Sequence, residues 1–194
     1  MTSIQAEELR LAEQCAANDR AAQRHLVQQQ RAQVHRTLFR IMGSNQHMED
    51  LAQDTFVEVL RSIGSFAGRS SLATWVDSIA ARVAYRHLAR RETRTPYLHA
   101  VDELAADDDP ERAGRAREAM RRLYVALDRI EPKHRIAYTL HVLDDRSLQD
   151  VARITGASVL AVKNRVWRAR RQLKESARRD PVLAEYLPAG RERP

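Results

Sequence analysis

An all-α protein of two small helical domains joined by an acidic flexible linker is predicted by three features of this chain. Apolar residues recur at steps of three and four through both halves, as in helices that bury one stripe. Between the halves, residues 95–116 lose that period and gather carboxylates together with Pro96, Pro110 and Gly114. Near the end, the stretch from Ser147 to Leu173 divides at Gly156 into two short helical patterns, the outline of a helix-turn-helix. The expected boundaries are 1–94 for the first domain, 95–116 for the linker, 117–179 for the second domain with its helix-turn-helix at about 147–173, and 180–194 for a tail.

In chain order, a helix is expected near 22–42, followed by a turn at Gly43-Ser44-Asn45. The next pattern, MEDLAQDTFVEVLRSI, places Leu51, Phe56, Val59, Leu60 and Ile63 on one stripe. Its other face carries Glu49, Asp50, Gln53, Asp54 and Glu58, which solvation explains cheaply and which also suits docking. The loop SFAGRSS follows, with Gly64 and Gly68 freeing the backbone and Phe66 and Arg69 offered from a non-helical stretch. Then LATWVDSIAARVAYRHLARRETR sets Leu72, Trp75, Val76, Ile79, Val83 and Leu88 toward a core. Arg82, Arg86 and Arg90 repeat at four-residue steps beside Tyr85, and Arg91 and Arg94 extend the charge. A solvated basic face is one reading of that strip; an aromatic within it and a flexible loop before it point to single-stranded or unwinding DNA.

In the helix-turn-helix, Ser147 with Asp150 forms a capping box, and Gly156 ends the first helix. Leu148, Val151, Ala152 and Ile154 face the second helix, whose buried stripe is Val159, Val162, Val166, Ala169 and Leu173. That phase leaves Lys163, Asn164, Trp167, Arg168 and Arg171 together on the opposite side, able to enter a DNA groove. A surface helix pair with a solvated basic face is the alternative, and Trp167 argues against it, because an indole there has no core to fill.

Composition agrees with a polyanion partner. The 194 residues hold 33 Lys and Arg against 26 Asp and Glu, a formal charge of +7, with a pI near 10.1. Only Lys133, Lys163 and Lys174 interrupt the arginines. Cys15 is alone, which excludes an internal disulfide or a cysteine metal cluster, and the histidines lack ligand-like pairing, so no metal or cofactor is expected. No apolar run approaches the roughly 20 residues of a membrane helix and the N-terminus lacks a signal-peptide core, so a cytoplasmic protein without membrane insertion is expected. The linker acids Asp102, Glu103, Asp107, Asp108, Asp109 and Glu111 make either a solvated tether or a strand suited to a positive channel in a partner. The tail is too short for a further domain and is expected to fray.

Two stretches together resemble the extracytoplasmic-function group of sigma factors, the promoter-specificity subunits of bacterial RNA polymerase. EDLAQDTFVEVLRSIGSFAGRSSLATWVDSIAARVAYRHLARR is similar to the family's second conserved region, and LDRIEPKHRIAYTLHVLDDRSLQDVARITGASVLAVKNRVWRARRQLKE to its fourth. The resemblance implies that Asp50, Gln53, Asp54 and Phe56 dock on the clamp coiled coil of the polymerase large subunit, with its flap as a second contact. It implies that Phe66, Gly68, Arg69, Ser70 and Ser71 hold a base flipped from the minus ten element while Arg82, Tyr85 and Arg86 meet the separating strands. Capture of that base trades a few kcal/mol of stacking for a protein pocket, with no ATP and no covalent chemistry. Lys163, Asn164, Trp167 and Arg168 would read the minus thirty-five element, and Arg165 and Arg171 would meet flanking phosphates. The linker would thread the polymerase cleft, and an anti-sigma factor would cover the docking surfaces.

Two other classes remain distinguishable. A conventional repressor would pair the helix-turn-helix with a dimerising or ligand-sensing domain and bind palindromic DNA unaided. A nucleic-acid enzyme would need fixed carboxylates for a metal, or a nucleophile with its base, and the dense carboxylate cluster here lies in a proline-containing linker.

Overall fold

Asp19 begins the first long helix. Its carboxylate accepts from the Ala21 and Ala22 N–H groups at 2.7 and 3.2 Å, capping α2 (Arg20–Met42) and turning the chain back from α1 (Ser3–Ala16). Leu26, Val34, Leu38 and Ile41 lie on its buried stripe with no exposed surface. The helix stops at Gly43, whose N–H donates to the Phe39 carbonyl at 2.7 Å and whose φ is +66°. A side chain there would also strike Tyr124, whose ring lies 2.1 Å from where a Cβ would stand. Glu49 and Asp50 occupy the first turn of α3 (Met48–Ser62), where carboxylates favour the helix dipole. A short 3-10 turn (Ile63–Ser65) leads into the loop before α4 (Leu72–Arg90).

The computed structural model describes residues 3–90 and 110–187. The linker carboxylates before 110 and Arg91 and Arg94 lie outside those residues, and Glu111 is described in its backbone alone. The second unit opens with α5 (Pro110–Leu127), so helix begins inside the segment expected to be linker, with proline at the first position, where its missing N–H costs nothing. After α6 (Pro132–Tyr138) and one wide helical turn (Thr139–Leu143) come α7 (Leu148–Thr155) and α8 (Val159–Ala177), each capped by a serine that accepts from the N–H three residues on. The tail was expected to fray, yet its first part forms α9 (Pro181–Tyr186). Asp180 caps that helix and also binds Arg122 of α5 at 2.9 Å, and Leu183 is buried against α5 and α8. Among the described residues there is no strand, and no helix is long and apolar enough to cross a membrane.

The two helical units, α1–α4 and α5–α9, share one core. Leu38, Val76 and Ile79 of the first cluster with Ile136, Leu140, Val151 and Val162 of the second, and α4 packs on α6 and α7. Polar anchors complete the joint. Arg135, 1% exposed, donates to the Ile41 carbonyl at 2.9 Å and the Met42 carbonyl at 2.7 Å, satisfying acceptors at the α2 C-terminus that have no helical partner, and pairs with Asp128. The fully buried Asp77 of α4 accepts from Gln33 at 2.8 Å, Thr37 at 2.7 Å and Arg146 at 2.7 Å. Such a hub fixes orientation, because a buried charge is tolerated only when every lone pair is engaged.

Candidate nucleic-acid interface

Helix α8 is held by four points of its stripe, Val162, Val166, Ala169 and Leu173, all buried. Val159, assigned by period to the same stripe, is instead 40% exposed, at the first position of the helix, where it lines a shallow groove with Gln149, Ala152 and Arg153 of α7. The phase is otherwise as expected, and Lys163, Asn164, Trp167, Arg168 and Arg171 all face solvent, with Arg165 half-buried at the edge. Trp167 is 54% exposed, and the Arg171 guanidinium lies over its ring at 5.7 Å, a cation–π contact that restrains both. None of Lys163, Arg168 and Arg171 has a carboxylate within ion-pair distance among the described residues, so their charge is free for a polyanion. Beneath this face sits His134, 5% exposed, between Glu131 and the α8 arginines. Burial pushes its imidazole pKa below the ordinary value, with Glu131 opposing and Lys133, Arg168 and Arg165 adding to the fall.

The first unit presents its basic strip on α4, where Arg82 and Tyr85 are exposed while Val83 and Ala84 are buried. Arg86 is already engaged, donating to Glu58 of α3 at 2.7 Å. That pair also removes Glu58 from the freely solvated acidic face on which the sequence placed it. In the loop, Arg69 and Ser71 are exposed and Ser70 is half-buried. Ser71 does local work as well, its hydroxyl accepting from the Thr74 N–H at 3.2 Å to cap α4. Gly68 takes φ +64°, which reverses the chain there. Phe66 departs from expectation: it is not offered to solvent but is 7% exposed, edge-on to Trp75 with ring centroids 5.6 Å apart. Its position is structural in this arrangement, and the exposed residues of the loop are Ser65, Ala67, Arg69 and Ser71.

On α3, Asp50, Gln53 and Asp54 all face solvent, forming one short acidic surface, while Phe56 is half-buried and packs against the core beside it. Helix α1, which packs on the 3-10 turn and the loop, lies outside the elements expected above, although Leu9, Ala12 and Cys15 recur at three-residue steps.

The sigma-70 region 2 family profile matches residues 26–94, and the sigma-70 region 4 profile matches 120–173. The RNA polymerase sigma-H factor of Pseudomonas aeruginosa is 26% identical over 191 residues, covering 93% of this chain and 98% of that protein. The extracytoplasmic-function RNA polymerase sigma-E factor of Haemophilus influenzae is 28% identical over 174 residues, covering 84% and 92%. Two solved structures share the fold. CnrH in complex with the cytosolic domain of CnrY gives a TM-score of 0.61 at 22% identity, covering 89% of this chain and 98% of that one. The sigma factor RpoE in complex with the anti-sigma factor NepR, from Bartonella quintana, gives 0.58 at 21% identity, covering 81% and 97%.

Proposed function

The chain belongs to the extracytoplasmic-function branch of the sigma-70 family and is a promoter-specificity factor of bacterial RNA polymerase, without catalysis of its own; from that premise we propose how its residues divide the work. The exposed, unpaired face of α8 is the observation that carries the reading. Lys163, Asn164, Trp167 and Arg168 read base edges of the minus thirty-five element, with Arg165 and Arg171 on flanking phosphates. Arg69, Ser70 and Ser71 hold a base flipped from the minus ten element, with Gly68 and Phe66 setting the loop, while Arg82, Tyr85 and Arg86 guide the separating strands. Asp50, Gln53 and Asp54, with Phe56 behind them, dock on the clamp coiled coil of the polymerase, and the flap engages the second unit. The working boundaries are 1–94 and 117–179, with α5 extending the second unit back to Pro110. An anti-sigma factor, the kind of partner present with the Bartonella protein, would cover these surfaces, and the site of action is the cytoplasm, with polymerase.

Size gives this reading a further requirement. A compact chain of this length has a radius of gyration of about 16 Å, hence a diameter of roughly 40 Å. Two elements about 25 base pairs apart lie roughly 85 Å apart along B-form DNA. Engagement of both elements therefore requires the joint to open, which parts the apolar cluster shared by α4, α6 and α7 as well as the bonds of Asp77, Arg135 and Arg146.

Two substitutions test the division of labour. Arg168→Ala should weaken upstream recognition by about 1–3 kcal/mol and leave core-polymerase affinity unchanged. Asp54→Ala should do the reverse, measured by binding to core enzyme and by footprinting of the holoenzyme. Loss of both properties in both variants, or of neither in either, contradicts the assignment.

A further inference from the structure

Residues 1–25 lie outside both matched profiles, yet they contain the helix on which the DNA-gripping loop rests. We propose that α1 sets the geometry of that loop and that Leu9 is a positioning residue for base capture, an inference that rests on the reading of the loop given above.

Two loop glycines face α1. A Cβ at Gly64 would stand 3.7 Å from the Ala16 Cβ, and one at Gly68 would stand 3.3 Å from Leu9 Cδ1 and 3.4 Å from its Cδ2 and Cγ. The reversal at Gly68, with φ +64°, is therefore made directly over the Leu9 side chain. Between these glycines Phe66 is buried on Trp75, and its N–H donates to the Ile63 carbonyl at 3.0 Å. The ends are also pinned, Ser65 by its hydroxyl to the Ser62 carbonyl at 2.7 Å and Ser71 by its cap on α4.

What remains to fix Ala67 and Arg69 at the tip is the contact beneath Gly68. The floor is itself anchored. Ala12 and Cys15 are 3% and 1% exposed, and Gln23 of α2 donates to the Cys15 carbonyl at 3.2 Å. A pocket for a flipped base discriminates only if its donors keep one position, and displacements near 1 Å erase such preferences. Leu9 touches no DNA in this account; it holds Gly68, and Gly68 holds the loop.

The test uses the full chain in holoenzyme, on promoter fragments carrying each of the four bases in turn at every position of the downstream element. Leu9→Ala should lower the ratio of best to worst base at the captured position by about tenfold, while core-polymerase affinity and upstream footprinting stay within twofold of the parent. Leu9→Met, which restores the volume, should restore the ratio. If Leu9→Ala fails to fold, Leu9→Val, which trims the contact beneath Gly68 without emptying it, should give a smaller loss of the same selective kind. An unchanged ratio overturns the proposal, and so does a fall in core affinity and upstream recognition in step with it, which would make α1 a stabilising element only. Failure of the underlying reading is separable, because the parent protein would then show no base preference within the downstream element.

Discussion

The loop and basic helix of the first unit and the reading face of the second offer charge of the same sign to the same polymer, yet they are built in opposite ways. On α8 the cations and Trp167 stand free above a buried stripe, with one internal contact, the guanidinium of Arg171 over the indole. In the first unit several of the corresponding groups are committed to the protein, Phe66 to Trp75, Arg86 to Glu58, Gly68 to Leu9 and Ser71 to the start of α4, while Arg69, Arg82 and Tyr85 stay exposed. A rigid helix needs no further support to place side chains in a groove that already exists. A pocket for a single base has no helix to shape it and must be held from beneath. Substitutions of the committed groups in the first region should therefore register in stability as well as in binding, and those on the α8 face in recognition alone.

The largest expected effect is at Phe66. Phe66→Ala should cost about 3 kcal/mol of unfolding free energy, measured by urea denaturation; a variant as stable as the parent with weakened DNA binding would mean that the ring meets the base after all. Gly68→Ala should cost about 1–2 kcal/mol from the left-handed backbone, and thermal melting reads it directly. By contrast, Lys163→Ala should shift stability by no more than about 0.5 kcal/mol while reducing upstream binding, and a loss of stability as large as at Gly68 would remove the distinction between the regions. The smallest effect is one of pH. His134 has a folded-state pKa below its unfolded value of about 6.5, because burial disfavours the charged ring. The unfolded chain therefore binds more protons, so stability is fully present above that value and is lost as pH falls below it. Amide exchange in α6 and α8 should quicken on acidification while α2 and α4 hold, and His134→Gln should flatten the dependence.

How much of this was legible in the sequence follows the same division. The α8 stripe and its opposite face could be phased because Val162, Val166, Ala169 and Leu173 repeat with the helix and need no distant partner to be recognised. Val159 breaks the pattern at the first position of its helix, where the stripe is only partly covered. Phe66 was misplaced because a loop has no period, so nothing local tells a presented ring from a buried one. Helix α9 was missed because six residues give less than two turns of pattern, although Asp180 followed by Pro181 was a readable start. The joint between the units was out of reach altogether: Arg135 meets carbonyls 94 and 93 residues away, and Arg146 meets Asp77 at a separation of 69. Arginines in so basic a chain look alike until the fold chooses which to bury.

Run-off transcription with core polymerase, coupled to sequencing of the starts, decides whether this chain selects promoters through two separate grips. Initiation is expected, only when both this protein and core enzyme are present, at sites preceded by two elements of fixed spacing, with Arg168→Ala weakening dependence on the upstream one. A protein that fails to bind core and footprints a palindromic site unaided would contradict it.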